Sequence, residues 1–187
     1  GETRVPTAEM LQDLDTLVFD IQDIGCRFYT YIATLRNALE AAAAHQQRFV
    51  VLDRPNPIGG IAVEGPLMPA ERRDFVGAHT LPLRHGMTVG ELARMFVGEL
   101  GLDVELEVVP CRGWQRADLW PDTGLVWIDP SPNIRRVTQA LTYPGIGLIE
   151  GTNLSVGRGT DTPFEVLGAP YVDALSLWQR LASAELP

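Results

Sequence analysis

Asp20, Gln22, Asp23, Arg27 and Tyr29 lie at the end of the apolar run Thr16–Ile21 and just after it. Two carboxylates, an amide, a guanidinium and a phenol at one point can hold a polar ligand or move a proton. In open α/β sheets ligands sit where strands end and helices begin. The same residues also suit a capped strand end with a satisfied Asp–Arg pair. Asp53 ends a second apolar run, 48–53, Arg54 and Asn56 follow it, and Glu64 lies between tight backbone positions in 63–66. His85 precedes a helix start, where it suits either a general acid/base or sugar-binding donor or a structural hydrogen-bonder. The stretch 148–165 interleaves Glu150, Asn153, Arg158, Thr160 and Asp161 with three glycines. So much hydrogen-bonding capacity on hinged backbone suits a polyhydroxylated or anionic ligand.

Asp20, Asp53 and Asp129, each at the end of an apolar run, can line one rim of a parallel sheet together with Glu150. Glycoside hydrolysis needs two carboxyl groups flanking the scissile bond. Mg²⁺ held by clustered Asp is the rival chemistry. Histidine is scarce and no HExxH spacing occurs, which argues against a zinc hydrolase. No GxSxG elbow supports a serine nucleophile. The glycines form neither a GxGxxG nor a Walker loop. A thiol pair of Cys26 with His85 rests on composition alone, and a small packing residue suits Cys26 as well. No metal or cofactor is expected.

The elements that must position these groups alternate. A short helix capped by Thr7 precedes the strand at 16–21. A helix over 30–44 and a strand over 48–53 complete a βαβ unit, which predicts parallel pairing of strands buried on both faces. A long loop, 54–83, leads to a Thr88–Glu91 capping box and a helix to Leu100, closed by Gly101. Strands are predicted over 104–109, with one wet face, and over 125–129. Trp114, Trp120 and Trp127 can form a stacking platform or fill core. A helix over 134–141 is predicted to break at Tyr143–Gly145. Thr162–Glu165 reads as a capping box with Pro163 at its first helical position. The last pattern, 170–183, is an amphipathic helix.

The chain has 187 residues, ordinary hydrophobic content at 45%, and a net charge of −9. The charge argues against a nucleic-acid surface, and no apolar run reaches the roughly 20 residues of a membrane span. The two cysteines give no disulfide framework. The chain opens without Met and the last helical pattern stops at Pro187, which reads as a piece of a larger protein. The domain division expected is 1–83, the later part of a Rossmann-like α/β domain, and 84–187, the remaining α/β segment and the start of a second.

The segments VFDIQDIGCRFYTY, VLDRPNPIGG, VEGP, RHGMTVGELA, PSPN and EGTNLSVGRGTDTPFE, in this order, resemble the DUF1343 family, whose characterised members are exo-β-N-acetylmuramidases. The resemblance runs from about Gly1 to Tyr171. It implies an α/β fold, a Rossmann-like parallel sheet flanked by helices followed by part of a smaller α/β domain, with the active cleft between them. It implies a glycosidase that removes N-acetylmuramic acid from the non-reducing end of peptidoglycan fragments. A peptidoglycan-derived sugar is then the partner, and a secreted or periplasmic location follows from the substrate. On this reading Asp20, Asp23 and Glu150 are acid/base or electrostatic groups. Gln22, Arg27, Tyr29, Asp53, Arg54, Asn56, Glu64, His85, Asn153, Arg158 and Thr160 bind substrate, with Arg27 or Arg158 on the lactyl carboxylate. A catalytic glutamate of the family is expected upstream of the part matched by Gly1. The alternatives are a non-catalytic sugar-binding module and a Mg²⁺-dependent phosphoesterase.

Overall fold

The computed structural model describes residues 3–184. Helix α1 (Ala8–Leu11) begins at Thr7, whose hydroxyl accepts the Met10 N–H at 3.3 Å. It is followed by β1 (Thr16–Phe19), α2 (Tyr31–Ala44), β2 (Arg48–Leu52), α3 (Val89–Leu100) and β3 (Leu106–Val109). The three strands form one parallel sheet in the order β1-β2-β3.

The register explains which residues are buried. Leu17 aligns with Phe49 and Leu106, and Phe19 with Val51 and Val108. With a period of two, these side chains share one face of the sheet. They pack with Ile32, Leu35 and Leu39 of α2 and Leu92 and Phe96 of α3 in a single core. Each such Leu or Phe contributes about 1.5–3 kcal/mol on burial. The other face carries Val18, 59% exposed, with Leu52 and Val109 also exposed. The expected burial of β1 on both faces therefore holds for one face only among the described residues. The reason is that α2 and α3 both contact the sheet through that one core.

Helix α3 starts as its sequence dictates. Thr88 Oγ1 accepts the Glu91 N–H at 3.2 Å, and the Glu91 carboxylate accepts the Thr88 N–H at 3.0 Å. Gly101, at φ 62°, ends the helix in the left-handed region that glycine adopts without strain.

The chain divides into two compact units, Gly1–Pro130 and Ser131–Pro187. The sequence pattern places a boundary after residue 83; in the structure α3 and β3 lie within the first unit, because β3 pairs with β2 and α3 fills the same core.

The second unit holds α4 (Val137–Ile146) and α5 (Ala174–Ser183). Here three expectations change. Helix α4 runs through Pro144 instead of breaking before it. The proline lacks the N–H that would meet the Ala140 carbonyl, but it sits in the last turn, where the chain already tightens into a 3₁₀ segment, Gly147–Gly151. Thr162–Glu165 forms a turn rather than a capped helix: Phe164 sits at φ 61°, buried edge-on against Tyr143, and Glu165 pairs with Arg136 at 2.9 Å. Helix α5 begins at Ala174 rather than 170, where the Asp173 carboxylate accepts the Ser176 N–H at 2.9 Å. In the first unit, 125–129 forms no strand; Val126 is 82% exposed and these residues enter no ladder.

Candidate active site

The sheet delivers two side chains to the carboxyl ends of adjacent strands. Asp20 follows β1 and Arg54 follows β2. Arg54 Nε donates to Asp20 Oδ1 at 2.8 Å, and Nη2 donates to the same oxygen. Gln22 ties the two strand-end loops together, its amide donating to the carbonyls of Pro55 at 3.0 Å and Asp23 at 2.6 Å. Beside them lies a hollow of about 490 Å³. Asp20, Ile21, Gln22 and Arg54 line it from the strand ends, and Trp120, Leu125, Val126, Ile128, Asp129 and Pro130 complete it. That size and mixture, mostly apolar with a few placed polar groups, is that of small-molecule sites.

The 120–130 segment is held where it is by local bonds. Trp120 Nε1 donates to the Leu125 carbonyl at 3.1 Å, and Trp120 meets Trp127 edge-on with ring centres 5.1 Å apart. Tyr31 Oη donates to the Pro130 carbonyl at 2.7 Å. The apolar run 125–129 thus lines a cavity instead of pairing as a strand, and Asp129 reaches the rim without one.

Most of the other polar residues singled out by sequence build the frame. Asp23 is buried; its Oδ2 accepts from the Gly25 N–H at 2.7 Å and pairs with His85 Nε2 at 3.2 Å, while Oδ1 is buried without a partner. His85 Nδ1 accepts the Met87 N–H at 3.2 Å, which leaves the proton on Nε2, facing Asp23. Asp53 crosses to the start of α3, accepting from Thr88 Oγ1 at 2.9 Å and the Gly90 N–H at 2.8 Å. Asn56 donates to the Met87 carbonyl at 3.0 Å and accepts the Ile58 N–H at 3.1 Å. Arg27 is buried and gives Nη1 to the carbonyls of Pro66 and Leu81, and burial pulls its pKa below the usual arginine range. Glu64 pairs with Arg84 at 2.9 Å. Tyr29 is buried edge-on against Tyr31. Burial pushes the Cys26 thiol up to about 12, so it holds its proton and is no nucleophile near neutral pH.

In the second unit, Arg158 spans both oxygens of Glu150, Nε on Oε1 and Nη2 on Oε2, and lies over the Phe164 ring, 5.1 Å from its centre. Thr160 Oγ1 donates to the Gly157 carbonyl at 2.6 Å, and the Asn153 carbonyl accepts from Tyr171 Oη at 3.3 Å. Among the described residues no group of three or more His, Cys, Asp or Glu is placed to hold a metal ion, and no helix is long and apolar enough to cross a membrane.

Of the residues expected to act on substrate, the structure gathers Asp20, Gln22 and Arg54 at the hollow. Trp120, offered by the sequence as part of a stacking platform, and Asp129, offered as a rim acid, also line the hollow, whereas Leu125, Val126 and Ile128 were read as strand and not as lining.

Fold and hollow together define an α/β protein with a small-ligand cleft at the carboxyl ends of parallel strands. The N-terminal model of the family described as exo-beta-N-acetylmuramidase NamZ matches residues 1–138, and the C-terminal model matches 141–187. The chain belongs to the NamZ family. It is 50% identical over 187 residues to the protein of Bacillus subtilis (strain 168) named peptidoglycan beta-N-acetylmuramidase NamZ, covering 45% of that protein. Two crystal structures of DUF1343 family proteins from Bacteroides fragilis NCTC 9343 are similar to it. One shares 46% identity with a TM-score of 0.93, over all of this chain and 50% of that one. The other shares 38% with a TM-score of 0.82, over 90% and 48%. The chain thus spans about half the length of these relatives.

Proposed function

We propose that this chain is the part of an exo-β-N-acetylmuramidase that carries a sugar site, acting on peptidoglycan fragments to release N-acetylmuramic acid from the non-reducing end. The observation that supports this most is the strand-end hollow, which presents Asp20, Arg54, Gln22 and Asp129 beside an apolar wall. Glycosidases stabilise an oxocarbenium-like transition state between two carboxyl groups. Asp20 and Asp129 are the two carboxyl groups of this hollow, one for the developing positive charge and one for proton transfer. Asp23, with one oxygen uncommitted, and Glu150, clamped by Arg158, are further acid/base or electrostatic groups of the enzyme. Asn153 and Thr160 of the second unit are further sugar-binding groups on this reading. Family membership favours this reading over a phosphoesterase or a non-catalytic module.

The test is chromophore release from a chromogenic N-acetylmuramic acid glycoside. Asp20→Asn should lower kcat by about a hundredfold or more, the usual worth of a positioned acid or base, with unchanged thermal unfolding. Full turnover by that variant would remove Asp20 from the chemistry. Binding of the glycoside without turnover by the unaltered protein would favour the sugar-binding module.

A further inference from the structure

We infer that Arg54 reads the carboxylate of the muramic acid unit and that Asp20 aims it; the identity of the sugar rests on the glycosidase reading above. N-acetylmuramic acid differs from N-acetylglucosamine by an O-linked lactyl group ending in a carboxylate. A site that separates the two needs a cation, and a guanidinium suits a carboxylate because its N–H groups form a planar fork.

The sequence motifs offered Arg27 or Arg158 for this carboxylate, and the bonding of these two and of Arg54 favours Arg54 instead. Arg27 is buried with Nη1 committed to two backbone carbonyls. Arg158 has its Nε–Nη2 edge closed by both oxygens of Glu150. Arg54 directs Nε and Nη2 at a single oxygen, Asp20 Oδ1. That fixes the plane of the guanidinium and leaves Nη1 without a partner among the described residues. Its side chain is 37% exposed and lines the hollow. Val126, Ile128 and Pro130 supply apolar contact for the methyl groups of the lactyl and acetamido substituents.

The charge balance makes the inference sharp. Asp20, Asp129 and Arg54 are the ionisable groups of the hollow. Two carboxylates against one guanidinium repel an anion unless it meets Arg54 directly. Without Arg54 the hollow should turn from preferring an acid to rejecting it.

The experiment measures binding of N-acetylmuramic acid and of its lactyl methyl ester, by calorimetry, to the unaltered protein and to Arg54→Gln and Arg54→Lys. The unaltered protein should bind the acid at least about tenfold more tightly than the ester. Arg54→Gln should reverse the order, and Arg54→Lys should fall between, keeping the charge and losing the fork. Comparing two ligands on one protein cancels any loss of stability in the variant. Equal binding of acid and ester by the unaltered protein overturns the inference, as does an Arg54→Gln variant that still prefers the acid. An acid preference that depends on Arg54, without glycoside turnover, would sink the glycosidase reading and leave Arg54 in its role. Turnover with an Arg54-independent preference would do the opposite.

Discussion

Asp23, whose Oδ1 is left for chemistry in the reading above, also holds the frame through its other oxygen. Its Oδ2 meets the Gly25 N–H and the His85 ring, and His85 in turn anchors Met87 just before α3. The carboxylate therefore joins the turn after β1 to the entry of α3. Removing a buried acceptor exposes its donors to the full desolvation penalty, about 1–3 kcal/mol for each. Asp23→Ala should thus lower unfolding stability by about 3 kcal/mol, read from the urea midpoint at constant slope. A change under about 0.5 kcal/mol, the range of neutral surface substitutions, would show that the pair does not hold the frame. Arg54 is the contrasting case. Removing it touches only a half-exposed ion pair, worth about 0–1 kcal/mol, so Arg54→Gln should leave the urea midpoint almost unmoved. A large shift there would place Arg54 in the frame beside Asp23.

Gly90 reports on how α3 meets the sheet. A Cβ there would lie 2.6 Å from Val108 Cγ1 and 2.7 Å from the Asp53 carboxyl carbon. Asp53 cannot step aside, because Thr88 and the Gly90 N–H both hold it. Helix propensity alone would make Gly90→Ala stabilising by about 1 kcal/mol. Overpacking against a fixed group costs about 1–3 kcal/mol, so the net expected is a loss of up to about 2 kcal/mol by urea unfolding; a gain would mean that the strand-end contact is loose. The same junction marks what sequence could reveal. The βαβ unit, the Thr88–Glu91 box and the Gly101 stop were legible because periodicity and capping are local rules. Asp53, Asn56 and Arg27 were read as ligand-facing because a list of polar residues does not say whether a carboxylate or guanidinium faces a ligand or a backbone group. That depends on partners 30 or more residues away, such as Gly90 for Asp53 and Leu81 for Arg27. The 125–129 run failed for the converse reason. Its apolar residues have the composition of a strand, but they line a hollow, and composition does not distinguish the two uses.

The whole chain contains no lysine; all 15 of its basic residues other than histidine are arginine. Lysine therefore contributes no titration between pH 9 and 12. Cys26 dominates this window, because burial raises its thiol from 9.0 to about 12. Below pH 9 the thiol is protonated in both the folded and the unfolded chain, and its contribution to stability is fully present. Above pH 9 the unfolded chain releases the proton while the folded chain keeps it. Stability must then fall as pH rises, by up to about 1.4 kcal/mol per pH unit, until the folded thiol also ionises near pH 12. Cys111 shifts in the same direction, through burial and then the nearby Asp53 charge. Cys26→Ala removes the main titration at the cost of a small, pH-independent packing loss. Urea midpoints of the two proteins should therefore differ at pH 8 and converge or cross by pH 11, with a relative change of about 2–3 kcal/mol. Curves that stay parallel from pH 8 to 11 would show that Cys26 is not sealed from solvent. The turn that joins β1 to α2 beside the hollow would then be open rather than packed.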